Sequence, residues 1–130
     1  MIVLQLKSNS TCISEVEKYV RQLFEQFGLN PELYPNILIS LTEAVNNAVQ
    51  HGNCNDVSKL VLVRTEKHSK YIHCEISDEG RGFDPEVLPD PTAPENVEKP
   101  GGRGVFLMRQ LSDSLSFKDE GRTVELKFYL

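Results

Sequence analysis

Apolar side chains recur along this chain with two different periods, and each period predicts a different kind of element. Apolar residues three or four positions apart predict helices, and apolar residues that alternate with polar ones predict strands. The helical period predicts a first helix that Ser10 or Thr11 caps and Gly28 ends, a second from near Pro31 to Gly52, and a third over about Gly104 to Leu111. Five strands are predicted, at residues 2–7, 60–65, 71–77, 114–118 and 123–130.

The order of these elements is β-α-α-β-β-α-β-β, with a long irregular segment before the third helix. We expect residues 60–65 and 71–77 to pair as one hairpin, and the last two strands to pair as another around Asp119 to Arg122. The predicted fold class is α+β, a two-layer α/β sandwich with helices on one face of a mixed, mainly antiparallel sheet. A chain of 130 residues has room for one core, so residues 1–130 are predicted to form a single domain.

The segment before the third helix is unsuited to regular structure. Between Phe83 and Pro100 it carries five prolines and several carboxylates. Proline lacks the backbone N–H and cannot continue a helix or a central strand. We interpret residues of about 83–103 as a mobile lid over the rest of the domain.

Composition narrows the class of protein. The net charge is −5 with 25% charged residues, which argues against a nucleic-acid binder, because such proteins carry a clustered basic face. Cys12, Cys54 and Cys74 are odd in number and lack a CxxC spacing, so they are interpreted as reduced thiols. The chain lacks a signal-peptide pattern and a run of about 20 apolar residues, so we expect a soluble, cytoplasmic protein.

A polar stripe interrupts the apolar second helix. Glu43, Asn47 and His51 are four residues apart, so they share one side of an α-helix. Such a stripe usually faces water, but the small apolar neighbours at positions 44, 45, 48 and 49 favour one that lines a cleft. Asn47 offers an amide oxygen suited to Mg2+, and Glu43 offers a carboxylate that can accept a proton. His51 either lines the phosphate region or braces the helix end.

Two glycine-containing segments follow. Asp78 ends a predicted strand and leads into a turn in which Gly80 and Gly82 let the backbone approach a ligand, although alone this motif is an ordinary turn. The loop Gly101-Gly102-Arg103-Gly104 runs into the apolar third helix at Val105, so its backbone amides can point at phosphate oxygens. Together with the polar stripe, these segments predict a nucleotide site.

In order and spacing, three segments resemble the N, G1 and G2 boxes of the GHKL ATPase superfamily: Glu43-Ala-Val-Asn-Asn-Ala-Val-Gln-His51, Asp78-Glu-Gly-Arg-Gly-Phe-Asp84 and Gly101-Gly-Arg-Gly-Val-Phe-Leu-Met108. Within that superfamily, the form of the last box and the short chain are most similar to small bacterial anti-sigma factors that are serine/threonine kinases. The resemblance covers nearly the whole chain. It implies the same two-layer architecture, with ATP held between the helical layer and the lid.

The resemblance also implies a role for each matched residue. Mg2+ would be held by Asn47, Glu43 would be the catalytic base, and Asp78 would accept a hydrogen bond from the amine of adenine. The other implied ATP contacts are His51, Gly80, Gly82, Phe83, Lys99, Gly101, Gly102, Arg103, Gly104, Val105 and Thr123. Thr123 would support Asp78 directly or through water, and the phosphate contacts of the lid would rest on Lys99 and Arg103.

Three functions remain open, because nucleotide binding does not settle the fate of the γ-phosphate. The resemblance implies a serine/threonine kinase, expected to be a homodimer, that sequesters a sigma factor and phosphorylates an anti-sigma-factor antagonist of the STAS type. The second possibility is a stand-alone histidine-kinase-like domain. It is less favoured, because sensor kinases usually carry dimerisation helices and a phosphoacceptor histidine, and no such segment precedes residue 1. The third is an ATP-binding regulatory module without phosphotransfer.

Overall fold

The computed structural model describes residues 1–9, 12–80 and 102–130. Their elements follow in the order β1 (Ile2–Lys7), α1 (Cys12–Phe27), α2 (Tyr34–Asn47), β2 (Leu60–Lys67), β3 (Tyr71–Ser77), α3 (Gly102–Leu111), β4 (Ser114–Lys118) and β5 (Thr123–Tyr129). A short 3-10 turn, Pro31–Leu33, leads into α2, and a π-helical turn, Ala48–Gly52, follows it. The elements predicted from the sequence are therefore present in the predicted order, with ends that differ by at most two residues, except that the second helix divides into these three parts.

The sheet has the strand order β1-β2-β3-β5-β4, and each neighbouring pair among the described strands is antiparallel. The predicted α+β fold is confirmed, but the prediction of a mixed sheet is wrong for this part of the chain. The connection between β1 and β2 explains the difference. It contains two helices, α1 and α2, which carry the chain across the sheet and back, so β2 runs opposite to β1.

Each helix boundary has a local cause. At the end of α1, Gly28 adopts a positive φ of 60°, and the N–H of Leu29 donates to the carbonyl of Phe24 at 3.2 Å, which closes a Schellman cap. Before α2, the side chain of Asn30 accepts a hydrogen bond from the N–H of Glu32 at 3.0 Å. Pro31 then occupies the first position of the turn, where its missing N–H costs nothing.

The hydrophobic core lies between the helices and one face of the sheet. Alternate residues of β3, Ile72, Cys74 and Ile76, are buried, whereas their neighbours are half exposed. The strands β2 and β5 show the same alternation. The buried side of the helices is contributed by Val16, Tyr19, Val20 and Leu23 of α1, Ile37, Leu41, Ala44 and Val45 of α2, and Val105 and Met108 of α3. Burial of one face of each element holds the two layers together.

A buried hydroxyl group ties α1 to the sheet. The hydroxyl of Tyr19 lies 2.9 Å from the carbonyl oxygen of Ile2 and 2.8 Å from Oγ1 of Thr65, and Thr65 in turn donates to Sγ of Cys74 at 3.7 Å. Burial raises the pKa of Tyr19 to about 12 and that of Cys74 to about 12. The tyrosine is therefore neutral at physiological pH and links β1 and β2 to the first helix.

The predicted lid lies outside the described residues over 83–101, so both the lid and the single-domain organisation of residues 1–130 stay predictions. The three cysteines are free, with Cys12 and Cys74 buried and Cys54 exposed. None of the helices in the described ranges combines the length and the apolar character needed to cross a membrane.

Two buried hydroxyl groups should respond oppositely to removal. Tyr19→Phe deprives Ile2 and Thr65 of a partner, and we expect it to lower the free energy of unfolding by about 1–2 kcal/mol. Ser40 Oγ is fully buried in α2 and has no hydrogen-bond partner among the described residues, so Ser40→Ala should leave stability unchanged or raise it by up to about 1 kcal/mol. Urea unfolding measures both, and equal losses in the two variants would contradict the hydrogen-bond assignment.

Candidate functional site

The first part of the site lies where α2 meets α3. Glu43 and Asn47 are one helical turn apart on α2, and both are half buried. Gly104, the third residue of α3, lies directly against them: a Cβ atom at Gly104 would be 2.9 Å from Asn47 Nδ2 and 3.1 Å from Glu43 Oε2. The absence of a side chain at Gly104 therefore lets the start of α3 reach the two polar groups.

The predicted stripe of three polar residues spans two kinds of helix. Glu43 and Asn47 follow α-helical spacing, but the chain widens after Asn47 into a π turn, in which the N–H of Asn53 donates to the carbonyl of Ala48 at 2.8 Å. His51 lies within this π turn, and its side chain is exposed. Its role in the site stays a prediction. The four-residue spacing could not reveal this change of helix type.

The second part of the site is the turn after β3. The N–H of Asp78 donates to the carbonyl of Arg122 at 2.9 Å, and the N–H of Gly80 donates to Asp78 Oδ1 at 2.8 Å. Gly52, at the end of the π turn, packs against the Asp78 carboxyl group, where a Cβ atom at Gly52 would overlap it. A Cβ atom at Gly80 would likewise overlap the carbonyl of Gly52. α2 and the π turn form one continuous helical segment, the α2 helical run. Its end touches the turn that carries Asp78 through Gly52 and Gly80.

The Asp78 carboxyl group is held in an unfavourable environment for a charge. Burial raises its pKa above the usual range, while the hydrogen bond from Gly80 and the nearby Arg122 guanidinium oppose that rise. A partly buried carboxylate with one lone pair committed to Gly80 retains further acceptor sites. Such a group can select a ligand that offers an N–H donor.

Thr123 lies beside this turn. It is buried and pairs with Ser77 in the sheet, and its Oγ1 is 2.8 Å from Ser77 Oγ. Its hydroxyl therefore contacts the residue that precedes Asp78. The direct or water-mediated support of Asp78 that the resemblance implies stays a prediction.

Several candidate residues cannot be placed. Gly82, Phe83, Lys99 and Gly101 lie outside the described residues, and only the helical backbone is described for Gly102 and Arg103. Val105 is buried in the core. The structure thus brings together Glu43, Asn47 and Gly104 in one group and Asp78, Gly80 and Thr123 in another.

Three residues of the site escaped the sequence analysis. Gly52 contacts the Asp78 carboxyl group, and Arg122 donates through Nε to the carbonyl of Gly80 at 2.8 Å. Asn53 bonds to the backbone of Glu79. One signal for Arg122 was in the sequence, because Asp-Glu-Gly-Arg occurs twice, at residues 78–81 and 119–122, and these two turns meet. Asn53 carried no such signal, since an asparagine after a helix is an ordinary turn residue.

A separate group of titratable residues lies on the sheet face away from the helices. His73, Glu75 and Glu125 place possible ligand atoms within 4.8 Å of one another. The ammonium group of Lys118 is 2.9 Å from Glu75 Oε1 and 2.9 Å from Glu125 Oε1. Because this ammonium group already takes the place of a cation, we interpret the group as an ion-pair network.

The chemistry of the first site fits a nucleotide with its metal ion. The amide oxygen of Asn47 is a hard oxygen donor of the kind that Mg2+ prefers, and the carboxylate of Glu43 beside it can accept a proton. Gly104 at the start of α3 lies beside them, and the first turn of a helix offers free backbone N–H groups and the positive end of the helix dipole. Asp78 offers an acceptor suited to a base with an amino group.

Comparison with known proteins identifies the class to which this site belongs. Residues 6–128 match the model of the histidine kinase-like ATPase domain family, and the chain belongs to that family. Among curated proteins, it is 27% identical to the serine-protein kinase RsbW of Staphylococcus epidermidis, over 99% of this chain and 86% of that protein. It is also 27% identical to RsbW of Oceanobacillus iheyensis, over 73% of this chain and 64% of that protein. The predicted family is confirmed.

Solved structures agree with the fold. The RsbU and RsbW domains of a Mycobacterium tuberculosis protein align with a TM-score of 0.62 at 16% identity, over 99% of this chain and 32% of that chain. The catalytic domain of the histidine kinase ThkA aligns with a TM-score of 0.61 at 14% identity, over 99% of this chain and 98% of that chain. At these identities the likeness establishes the fold alone.

Substituting Gly104 should lower the affinity for the nucleotide without lowering the stability of the fold. Gly104→Ala pushes a methyl group against Asn47 and Glu43, so we expect affinity for ATP with Mg2+ to fall about tenfold, on the scale of one lost charged contact. Stability should hold, because alanine favours a helix over glycine by up to about 1 kcal/mol. A fluorescent ATP analogue and urea unfolding measure the two quantities.

Gly28→Ala is the matched control. Gly28 has a positive φ and open space around it, so alanine there should cost about 1 kcal/mol of stability and leave nucleotide affinity unchanged. If Gly104→Ala bound ATP as well as wild type does, the contact of α3 with the two polar groups would be irrelevant to the ligand.

The raised pKa of Asp78 makes stability depend on pH. Its folded pKa lies above the unfolded value, so the stability that protonated Asp78 contributes is complete below about pH 3.9 and is lost as pH rises through the folded pKa. Asn can still accept the Gly80 hydrogen bond but carries no charge. Asp78→Asn should therefore be more stable than wild type at pH 7, and the difference should shrink as the solution is acidified.

Asp56→Asn gives the opposite sign. Hydrogen bonds from Ser58 lower the pKa of Asp56, so its contribution is present above the unfolded pKa and is lost as pH falls. This variant should be less stable than wild type at pH 7 and equal to it in acid. Unfolding curves from pH 3 to 8 give both differences in stability. A loss of stability at pH 7 in Asp78→Asn, the sign expected for Asp56→Asn, would rule out burial as the cause at Asp78.

Proposed function

We propose that this chain is an ATP-dependent serine/threonine protein kinase that phosphorylates an anti-sigma-factor antagonist and also sequesters a sigma factor. The chief support is the single half-buried turn of α2 that presents Glu43 and Asn47 to the start of α3 at Gly104. A general base and a metal ligand are thereby neighbours at a helix N-terminus. Similarity to serine-protein kinases named RsbW over 99% of the chain supports a serine as the acceptor.

In the proposed complex, each group of residues holds a different part of the nucleotide. Asp78 accepts a hydrogen bond from the exocyclic amine of adenine, which guanine lacks at that position. Asn47 would hold Mg2+ through its amide oxygen, and the ion would supply positive charge to offset that of the phosphates. The backbone N–H groups at the start of α3 bind phosphate oxygens.

The proposed transfer step moves one phosphoryl group. The hydroxyl oxygen of a serine or threonine in the substrate protein bonds to the γ-phosphorus as the bond from that phosphorus to the β,γ-bridging oxygen breaks. The hydroxyl proton passes to the carboxylate of Glu43, and ADP leaves. Asn47 stands one helical turn from Glu43 and would hold the Mg2+ that offsets charge during the transfer.

The proposed partners follow from the family resemblance. The substrate is an antagonist of the STAS type, and its phosphorylation leaves the sigma factor bound to the kinase and away from RNA polymerase. Such a protein works in the cytoplasm, where both ATP and the polymerase are found. The homodimer expected from the resemblance stays a prediction, which light scattering coupled to size-exclusion chromatography tests.

Transfer of the γ-phosphate is the direct test. The chain is incubated with γ-labelled ATP, Mg2+ and each STAS-type protein encoded in the same genome. Glu43→Gln should slow labelling by about 10²-fold or more while changing ATP affinity little, because a general base contributes about 10² to 10⁴ in rate. Asn47→Ala should weaken binding of ATP with Mg2+ and slow labelling together.

Glu25→Gln is the matched control, since Glu25 is an exposed carboxylate on α1 and should have wild-type activity. Acid-stable label on serine or threonine supports the proposal. Acid-labile label would indicate transfer to histidine, and ATP binding without transfer to any candidate would favour a regulatory module that only binds ATP.

A further inference from the structure

Among the described residues between the π turn and β2, Asn53 is the one polar residue that is almost wholly buried. Its exposed surface is 1%. It follows Gly52, and its backbone N–H closes the π turn by donating to Ala48. The proposed phosphotransfer step assigns it no role. A buried carboxamide at such a place must find partners for its N–H groups and its oxygen, or it would cost stability.

The side chain of Asn53 satisfies those groups in three directions. Its Oδ1 accepts from the N–H of Glu79 at 2.8 Å, and its Nδ2 donates to Ser8 Oγ at 2.9 Å and to the carbonyl of Leu60 at 3.0 Å. The orientation of the amide is unambiguous, because a backbone N–H requires an acceptor and a backbone carbonyl requires a donor. Asn53 therefore joins the ends of β1 and α2 and the start of β2 to the turn that follows β3.

Glu79, whose backbone N–H donates to Asn53, lies within the turn that carries Asp78, the proposed acceptor for the base. Glu79 stands between Asp78 and Gly80, and its own carboxylate accepts from the N–H of Leu60 at 3.0 Å. This second bond closes a ring of contacts among Asn53, Glu79 and Leu60. The same turn is held by Arg122, which donates through Nε to the carbonyl of Gly80. Asn53 and Arg122 thus bond to the backbone of two adjacent residues in the turn that carries Asp78.

We propose that Asn53 is a positioning residue for base recognition: it fixes the Asp78 carboxylate relative to α2, so that one nucleotide can reach Asp78 with its base and Asn47 with its metal-bound phosphates. The inference rests on the proposed function. Asn53 does not touch the base in this scheme, and acts through the backbone of Glu79. Close packing of Gly52 against Gly80 limits how near the turn comes to the end of the α2 helical run. The hydrogen bond between Asn53 and Glu79 limits movement of the turn along that end.

The test compares two nucleotides that differ only in the group that Asp78 reads. ATP carries the exocyclic amine, and purine riboside triphosphate lacks it. Wild type should bind ATP about tenfold or more tightly than this analogue, the factor that one hydrogen bond to a charged group supplies. Asn53→Ala should reduce that ratio to within about twofold of one by weakening ATP alone. Calorimetric titration with Mg2+ gives both affinities.

Two further variants separate positioning from general stability. Asn53→Asp keeps an acceptor for Glu79 but loses the donor to Leu60 and Ser8, so it should be less stable than wild type and still prefer ATP. Ser8→Ala removes one hydrogen-bond partner of Asn53 and leaves the bond to Glu79, so this variant should also keep the preference for ATP. Circular dichroism confirms that each variant is folded at the temperature of the titration.

Several results would overturn the inference. Equal weakening of both nucleotides by Asn53→Ala, or a loss of stability with an unchanged ratio, would make Asn53 a purely structural residue. Loss of the preference in Asn53→Asp would show that the bond to Glu79 is not the one that matters. A wild-type protein that binds neither nucleotide would end the proposed function itself, and a wild-type protein that binds both equally would remove the role of Asp78.

Discussion

The contact between Gly52 and Gly80 is the constraint on which the site depends. A Cβ atom on either residue would overlap the other segment, so the end of the α2 helical run and the turn after β3 can meet only as bare backbone. This contact places the Asp78 carboxyl group beside the end of the α2 helical run. Earlier in that run, Glu43 and Asn47 face the start of α3. Without it, the proposed acceptor for a base and the proposed groups for phosphates and metal would belong to separate regions of the fold.

The same site departs from what stability alone would favour. Burial raises the pKa of Asp78, so its charge at neutral pH opposes folding. The hairpin that brings Arg122 to Gly80 has positive φ angles at the non-glycine residues Asp119 and Glu120. Residues in that conformation cost about 1 kcal/mol or more each. Strain in the hairpin turn and a desolvated charge in the Asp78 turn thus lie in two turns that meet, as is common at functional sites.

The layered core supports these local costs. One face of the sheet and the inner sides of three helices bury a continuous apolar cluster, and the antiparallel register of each strand pair is set by that burial. The opposite face of the sheet carries the ion-pair network of Lys118, Glu75 and Glu125, which is partly exposed and contributes little to stability. The helical face carries the core, and the helices on it carry Glu43 and Asn47.

Much of this protein was predictable from its sequence, because much of it is local. The hydrophobic periods predicted each helix and strand, glycine and proline marked the helix ends, and three short segments predicted a nucleotide site and its family. Glu43 and Asn47 were placed correctly because they are four residues apart on a regular helix. These features depend on neighbours in the chain, which the sequence displays directly.

Only the tertiary structure decided the rest. The π turn that contains His51 is closed by the hydrogen bond from the N–H of Asn53 to the carbonyl of Ala48, and no spacing rule predicts it. The roles of Gly52, Asn53 and Arg122 arise from contacts with residues that are 26 to 42 positions away in the chain. Sequence by itself determined the elements and the chemical groups. Long-range packing determined which groups meet, because that depends on the relative positions of elements, which no local pattern specifies.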